Sequence, residues 1–301
     1  MPPGKPSTSP LLQCSNMADS PHQMHPMIDL IAIDMDGTLL DSNHAISPRV
    51  KEAIAAARAR GIRIVVATGR PYSGIEAYLA ELGLAGDEDY CITFNGAVIQ
   101  NASGTTSVEE TTLGYEDFVY CEKVARELGV HLHVLYERSM MTPNADISYH
   151  TVRDAYISRT PLMFRSVDQV DPAWRFRKFM MVDDEAILDK AIARLPPELM
   201  QRYTVVKSAA DFLEILHPEA GKGRALATLA AHLGVPAERI MAIGDQENDL
   251  VMLEFAGVAV AMGNAIDAVK AVADHVTTSN NEDGVAVAIE RYALKQAAGV
   301  S

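Results

Sequence analysis

Residues 28–40 read Ile-Asp-Leu-Ile-Ala-Ile-Asp-Met-Asp-Gly-Thr-Leu-Leu. The stretch Ile28–Ile33 is almost wholly apolar and ends on Asp34, with Asp36 two residues on and Gly37 behind it. A short apolar run bounded by a turn signal reads as a strand buried on both faces, the habit of parallel sheets. An aspartate placed directly after such a strand demands an explanation, because an unpaired buried carboxylate is costly. A turn aspartate often does no more than bond its own backbone. The buried approach and the pairing with Asp36 favour chemistry instead, with a metal or a basic partner to offset the charge.

Outward from this stretch, Ser47 and Pro48 open a helix as N-cap and first-turn residue, and Gly61 closes it. Ile62–Ala67 is a second apolar strand, ending in Thr68-Gly69-Arg70, and Tyr90–Phe94 a third, ending in Asn95-Gly96. Strands alternating with helices imply right-handed βαβ units and a parallel sheet. The middle of the chain breaks this rhythm. Helices are expected near 115–128, 145–157 and 184–195, and strands near 130–136, 176–183, 203–207 and 211–216. That mixed order describes an α+β unit. The alternation then resumes with a helix from Gly221-Lys222, strands at Ile240–Ile243, Val258–Met262 and His275–Thr277, and a closing helix over 283–296. The expected organisation is a doubly wound α/β core over 27–111 and 215–298, interrupted by an inserted α+β cap over 112–214. Residues 1–26 are Pro-rich and aperiodic, and read as a disordered leader. Met17, Met24 and Met27 are alternative starts, and His22 and His25 are taken as tail residues rather than ligands.

Composition narrows the function. The 301 residues are 48% hydrophobic and 22% charged, which is ordinary globular usage. A net charge of -14 lacks the clustered Lys and Arg that nucleic-acid binding needs. No apolar stretch approaches the length of a membrane span. The three cysteines, Cys14, Cys91 and Cys121, are too few and too scattered for a zinc site or a disulfide framework, and a reducing cytoplasm fits best.

In open parallel sheets, ligands collect beyond the carboxyl ends of the strands. Four strand ends here carry Asp34–Thr38, Thr68-Gly69, Asn95-Gly96 and Gly244–Asp249, so their polar groups converge on one edge. Hard oxygen donors with no His or Cys among them favour Mg²⁺ over zinc. Thr68 offers a hydroxyl for an anion, the amides after it point where the next helix begins, and Lys222 adds a point charge. The Gly-Lys-Gly at 221–223 lacks the spacing of a phosphate-binding Walker loop. Asn95 and Gly96 lie at the right edge to meet a substrate, although a plain turn explains them nearly as well. His131 and His133 are expected on one face of a cap strand as a packed or exposed pair rather than a ligand pair, and Trp174 as cap packing.

These motifs carry a resemblance. Asp-Met-Asp-Gly-Thr-Leu-Leu at 34–40 resembles the first motif of the haloacid dehalogenase superfamily of phosphatases, and Thr68, Lys222 and Gly-Asp-Gln-Glu-Asn-Asp at 244–249 resemble the second, third and fourth, in order. The insertion, with FNGA at 94–97, AMGNA at 261–265 and NNEDGVA at 280–286, is similar to the Cof-type (IIB) branch with its C2-type cap. ISYHTV at 147–152, KSAADFLEIL at 207–216 and MAIGDQENDL at 241–250 are similar to YidA-type sugar phosphatases. The likeness spans about 27–296. It implies a Mg²⁺-dependent sugar-phosphatase (EC 3.1.3.23 as the narrowest class), cytoplasmic, monomeric or homodimeric. Asp34 would be the nucleophile that forms an aspartyl-phosphate, and Asp36 the general acid and base, a role that calls for a partly shielded position. Mg²⁺ would be held by the Asp34 carboxylate, the Asp36 main-chain carbonyl and Asp245, with Asp249 either a further ligand or an orienting group. Thr68, Lys222, Asn248 and the amides of Met35 and Gly69 would bind the phosphoryl oxygens. The rival readings are a phosphomutase with the same motifs and a non-catalytic sensor of metal and phosphate. The presence of Asp36 speaks against dehalogenation, whose enzymes lack the second aspartate.

Overall fold

The computed structural model describes residues 27–136 and 139–295; the segment 1–26, with Cys14, His22 and His25, lies outside the described residues. The first part of the chain supplies strands β1 (Leu30–Asp34), β2 (Arg63–Ala67), β3 (Tyr90–Thr93), β4 (Val98–Asn101) and β5 (Ser107–Glu110). The insertion supplies β6 (His131–Tyr136), β7 (Ser139–Thr142), β8 (Leu162–Phe164), β9 (Phe176–Val182), β10 (Thr204–Ala209) and β11 (Phe212–Leu216). The chain returns with β12 (Ile240–Gly244), β13 (Val258–Ala261) and β14 (His275–Val276).

Two sheets result. The core sheet has the order β14-β13-β12-β1-β2-β3-β4-β5. Every β1 residue is buried, as its apolar run requires, and β1 pairs in parallel with both β2 and β12. Pairing stays parallel from β14 to β3, then turns antiparallel for β4 and β5. The reversal has a local cause in the turn after β3, where Phe94, Asn95 and Gly96 take positive φ of 51°, 53° and 92°. The chain therefore doubles back there instead of feeding a crossover helix. The first crossover helix, Pro48–Ala59, begins as its sequence indicates, with Ser47 Oγ accepting from the Val50 amide at 3.2 Å. The closing helix is α-helical over Gly284–Ala288 and winds as a π-helical turn over Ile289–Leu294.

The second sheet has the order β10-β11-β9-β6-β7-β8 and its own core, in which Phe118 packs on Phe176 with ring centroids 5.5 Å apart. β11 pairs with β10 through Leu216 and with β9 through Ile215, so the second sheet runs on to residue 216. The helix expected from 145 starts at Tyr149, where Ser148 Oγ accepts from the His150 amide. His131 and His133 stand on one strand face but bond separate carboxylates, Asp183 and Asp154, and Trp174 stacks on Tyr136 at 4.3 Å. Cys91 and Cys121 are free and buried, and burial pushes both thiols up to about 12. No helix of the described residues is long and apolar enough to cross a membrane.

Candidate active site

The ends of β1, β2, β3 and β12 meet along one edge, beneath the insertion. Asp34 closes β1 and is 6% exposed. Lys222, first residue of the helix Lys222–Leu233, reaches it with Nζ 2.5 Å from Asp34 Oδ1. The same Nζ lies 2.7 Å from Asp249 Oδ1. Asp249 spends its second oxygen on the amides of Asp245 and Gln246, at 2.9 and 3.1 Å, and so shapes the loop that presents Asp245. Asp245 accepts from Thr38 Oγ1 at 2.8 Å and from Gln246 Nε2 at 3.1 Å. Gly37 makes the approach possible. Its φ is +82°, and a Cβ there would stand 2.6 Å from Asp245 Oδ2.

Charge in this cluster does not balance. Asp34, Asp245 and Asp249 are all buried, with one oxygen of each within 4.8 Å of the others, and a single ammonium faces them. At an effective dielectric near 20, each such carboxylate pair repels by about 3 kcal/mol or more. Burial, and then the charges of Asp249 and Asp245, hold the Asp34 carboxyl well above its ordinary value despite Lys222. Burial likewise raises Asp245, against the hydrogen bonds from Thr38 and Gln246. Burial pulls Lys222 down, but Asp34 and Asp249 outweigh it and push its affinity for the proton up. A divalent cation fits this excess of oxygen donors. Asp34 accepts from Lys222 alone and Asp245 accepts one hydrogen bond on each oxygen, whereas Asp249 accepts three, from Lys222 and the amides of Asp245 and Gln246. The geometry therefore favours Asp249 as the residue that orients its neighbours.

The other expected residues gather around this cluster. Thr68 is buried at the end of β2 and accepts the Arg70 amide at 3.1 Å, leaving its hydroxyl proton free to be donated. Met35 is fully buried behind Asp34. Gly69 passes so close to Asn95 that a Cβ would lie 3.1 Å from its side-chain amide. Asn248 donates to Asn95 Oδ1 at 2.9 Å. Gly96 is buried with φ +92°, and a Cβ would stand 2.3 Å from the Gly221 carbonyl oxygen. Its place is a close backbone contact that seats the start of the Lys222 helix, not a wall of the cavity. Asp36 departs from the shielded position its acid role calls for. Its side chain is 49% exposed and held by Arg70, with Nε 2.8 Å from Oδ2 and a terminal nitrogen 2.5 Å from Oδ1.

Residues from the insertion complete a cavity of about 600 Å³ that Asp34, Asp36, Thr68, Gly69, Asn95 and Asn248 line from the core side. Lys178 of β9 and Glu214 of β11, each 5% exposed, pair at 3.0 Å. Glu214 Oε2 accepts from Asn95 at 2.8 Å, and Lys178 Nζ lies 3.4 Å from the Gly69 carbonyl. Arg70 and Thr38 stand in strand-end turns already legible in the sequence, but a role for them, or for Lys178 and Glu214, is not. A signal exists for Glu214, the lone charge in an apolar strand; Lys178 is masked by Arg177 beside it.

Comparison with known proteins agrees with this architecture. A family model described as haloacid dehalogenase-like hydrolase matches residues 31–289. YxeH of Bacillus subtilis, provisionally named a phosphatase, is 44% identical over 268 residues, covering 89% of this chain and 99% of its own. The crystal structure of a haloacid dehalogenase-like hydrolase from Bacteroides thetaiotaomicron superposes with a TM-score of 0.78 at 32% identity, over 88% of this chain and 99% of its own. BT4131, described as a haloacid dehalogenase subclass IIB sugar phosphatase, superposes with a TM-score of 0.72 at 25% identity, over 88% and 98% of the two chains.

Proposed function

The chain belongs to the haloacid dehalogenase-like hydrolases, and from that premise we propose that it is a Mg²⁺-dependent phosphatase of small phosphate monoesters, sugar phosphates first among them. The observation that carries the proposal is the buried cluster of three carboxylates around one lysine, which suits a cation and a phosphoryl group together. Asp34 attacks phosphorus in line and carries the phosphoryl group as an aspartyl-phosphate until water releases it. Asp34, Asp245 and the Asp36 main-chain carbonyl would hold the cation, and Asp249 fixes the Asp245 loop. A bound divalent cation would screen Asp34 from the dianionic substrate and stabilise charge on the transferring oxygens.

The remaining residues position and exchange protons. Lys222, Thr68, Asn248 and the amides of Met35 and Gly69 bind the phosphoryl oxygens. For Lys222 this means turning part of its bonding from Asp34 to the substrate. Asp36 gives its proton to the leaving oxygen and then takes one from the attacking water. The pairing with Arg70 must loosen for this, and a substrate that covers the half-exposed carboxyl supplies the shielding missing here. Relatives named as phosphatases support hydrolysis over phosphomutase or sensor activity, and the subclass IIB neighbour supports sugar phosphates. The test is release of inorganic phosphate from a panel of sugar phosphates with Mg²⁺ and with EDTA, for wild type and Asp34→Asn. Release that needs both Mg²⁺ and Asp34 is expected. No release from any ester, or full activity in EDTA, would sink the reading.

A further inference from the structure

One carboxylate that lines the cavity has no part in the chemistry above. Asp154 lies on the cap helix Tyr149–Ile157, one turn after Thr151. Beneath both sits His133 of β6, with no exposed surface. Its Nδ1 is 3.1 Å from Thr151 Oγ1 and its Nε2 3.0 Å from Asp154 Oδ2. A buried imidazole engaged at both nitrogens cannot swing, so the Asp154 carboxylate is held in a set orientation. Its Oδ1 has no hydrogen-bond partner among the described residues, and the side chain keeps 21% of its surface exposed. Burial raises the Asp154 carboxyl, but His133, with Lys178 and Arg153 behind it, more than offsets this and holds it below its ordinary value.

Of the other charges on the cavity wall, Lys207 pairs with Asp189 and Glu247 stands exposed beside the core site. Lys178 and Glu214 are tied to each other and to the core. Asp154 thus offers acceptor capacity that the fold has not consumed. An ionised carboxylate can only accept hydrogen bonds. It repels a second phosphate or carboxylate and suits hydroxyl groups.

We propose that Asp154, oriented by His133, selects the leaving group by accepting hydrogen bonds from a neutral, polyhydroxylated part of the substrate. The proposal rests on the phosphatase reading of the core site. Its rival is a structural role, in which Asp154 only satisfies the buried His133.

Asp154→Asn separates the two. With an ionised carboxylate as its partner, His133 Nε2 must be the donor, and it can still donate to the amide oxygen. The amide NH₂ then occupies the free position and puts a donor where the acceptor was. Turnover is measured on a sugar monophosphate and on p-nitrophenyl phosphate, whose leaving group has no hydroxyl beyond the ester oxygen. The proposal expects kcat/KM to fall roughly 10- to 100-fold on the sugar phosphate, mainly through KM, the span of a hydrogen bond to a charged group. Turnover of p-nitrophenyl phosphate should stay within about twofold. Equal losses on both substrates, or no loss on either, would overturn it. If wild type releases phosphate from neither ester, the phosphatase reading itself has failed, and the proposal with it. Should Asp154→Asn unfold, Asp154→Glu repeats the test with the charge kept and its oxygens moved by one methylene, and the same selective loss is expected.

Discussion

Among the described residues, two buried lysines each face carboxylates, and the two sites are built differently. In the cap, Lys178 and Glu214 form a one-to-one pair whose remaining donors and acceptors reach Asn95 and the Gly69 carbonyl. In the core, one lysine faces Asp34, Asp245 and Asp249. The balanced pair can be a complete structural unit that docks the cap on the core. The unbalanced cluster is strained without a further positive charge. On the proposed function, that excess of carboxylates makes the core the reacting centre and the cap pair its support.

Substitutions can break this contrast. Asp34→Asn has the largest expected effect, a loss of phosphate release by about 10³-fold or more, as befits a nucleophile. The same change removes a carboxylate from an overcrowded site, so thermal unfolding of the metal-free variant should occur at or above the wild-type midpoint. Lys222→Met leaves the carboxylates without their ammonium. It should destabilise the metal-free protein by roughly 3–5 kcal/mol in denaturant titration and abolish turnover. In the cap, Lys178→Met or Glu214→Met alone should be costly for the same reason, since each strands one buried charge. The double variant should recover part of that loss, with a coupling of about 0.5–3 kcal/mol.

The pH dependence of the metal-free protein tests the sign of the imbalance. Asp34 and Asp245 bind protons more tightly when folded than at the ordinary value of 3.8. The folded state therefore holds more protons than the unfolded state between that value and the raised ones, and stability falls as pH rises through this window. The penalty is absent below 3.8 and complete above the raised values. Saturating Mg²⁺ should remove most of it, adding about 2.7 kcal/mol at a hundredfold excess over Kd. The smallest effect belongs to Arg70→Ala. Its pair with the half-exposed Asp36 should contribute less than about 1 kcal/mol to stability.

Much of the core site was legible because its chemistry sits next to strong local signals. Asp34 and Asp245 follow directly on apolar strands, Thr68 ends a third, and Lys222 opens a helix. The fold class followed from the same alternation. The turn at Phe94–Gly96 reverses the chain through three positive φ values, and that reversal was not visible in the strand pattern. The short strands β4, β5, β7 and β8 and the helix Pro197–Arg202 also escaped, since brief segments carry little periodicity. Asp154, His133, Lys178 and Glu214 come together only through cross-strand register and the docking of cap on core. Their meeting is a long-range fact with no local pattern. The motif makes Asp36 visible in the sequence, but its ion pair with Arg70 depends on how two strand ends face each other.

The most direct measurement is chemical. Wild-type enzyme turning over a labelled sugar phosphate with Mg²⁺ is quenched in acid, and the label is mapped by mass spectrometry. The expected result is a phosphoryl group on Asp34 that is absent from Asp34→Asn. Phosphate release with no covalent label on the protein, or with the label on another residue, would contradict it.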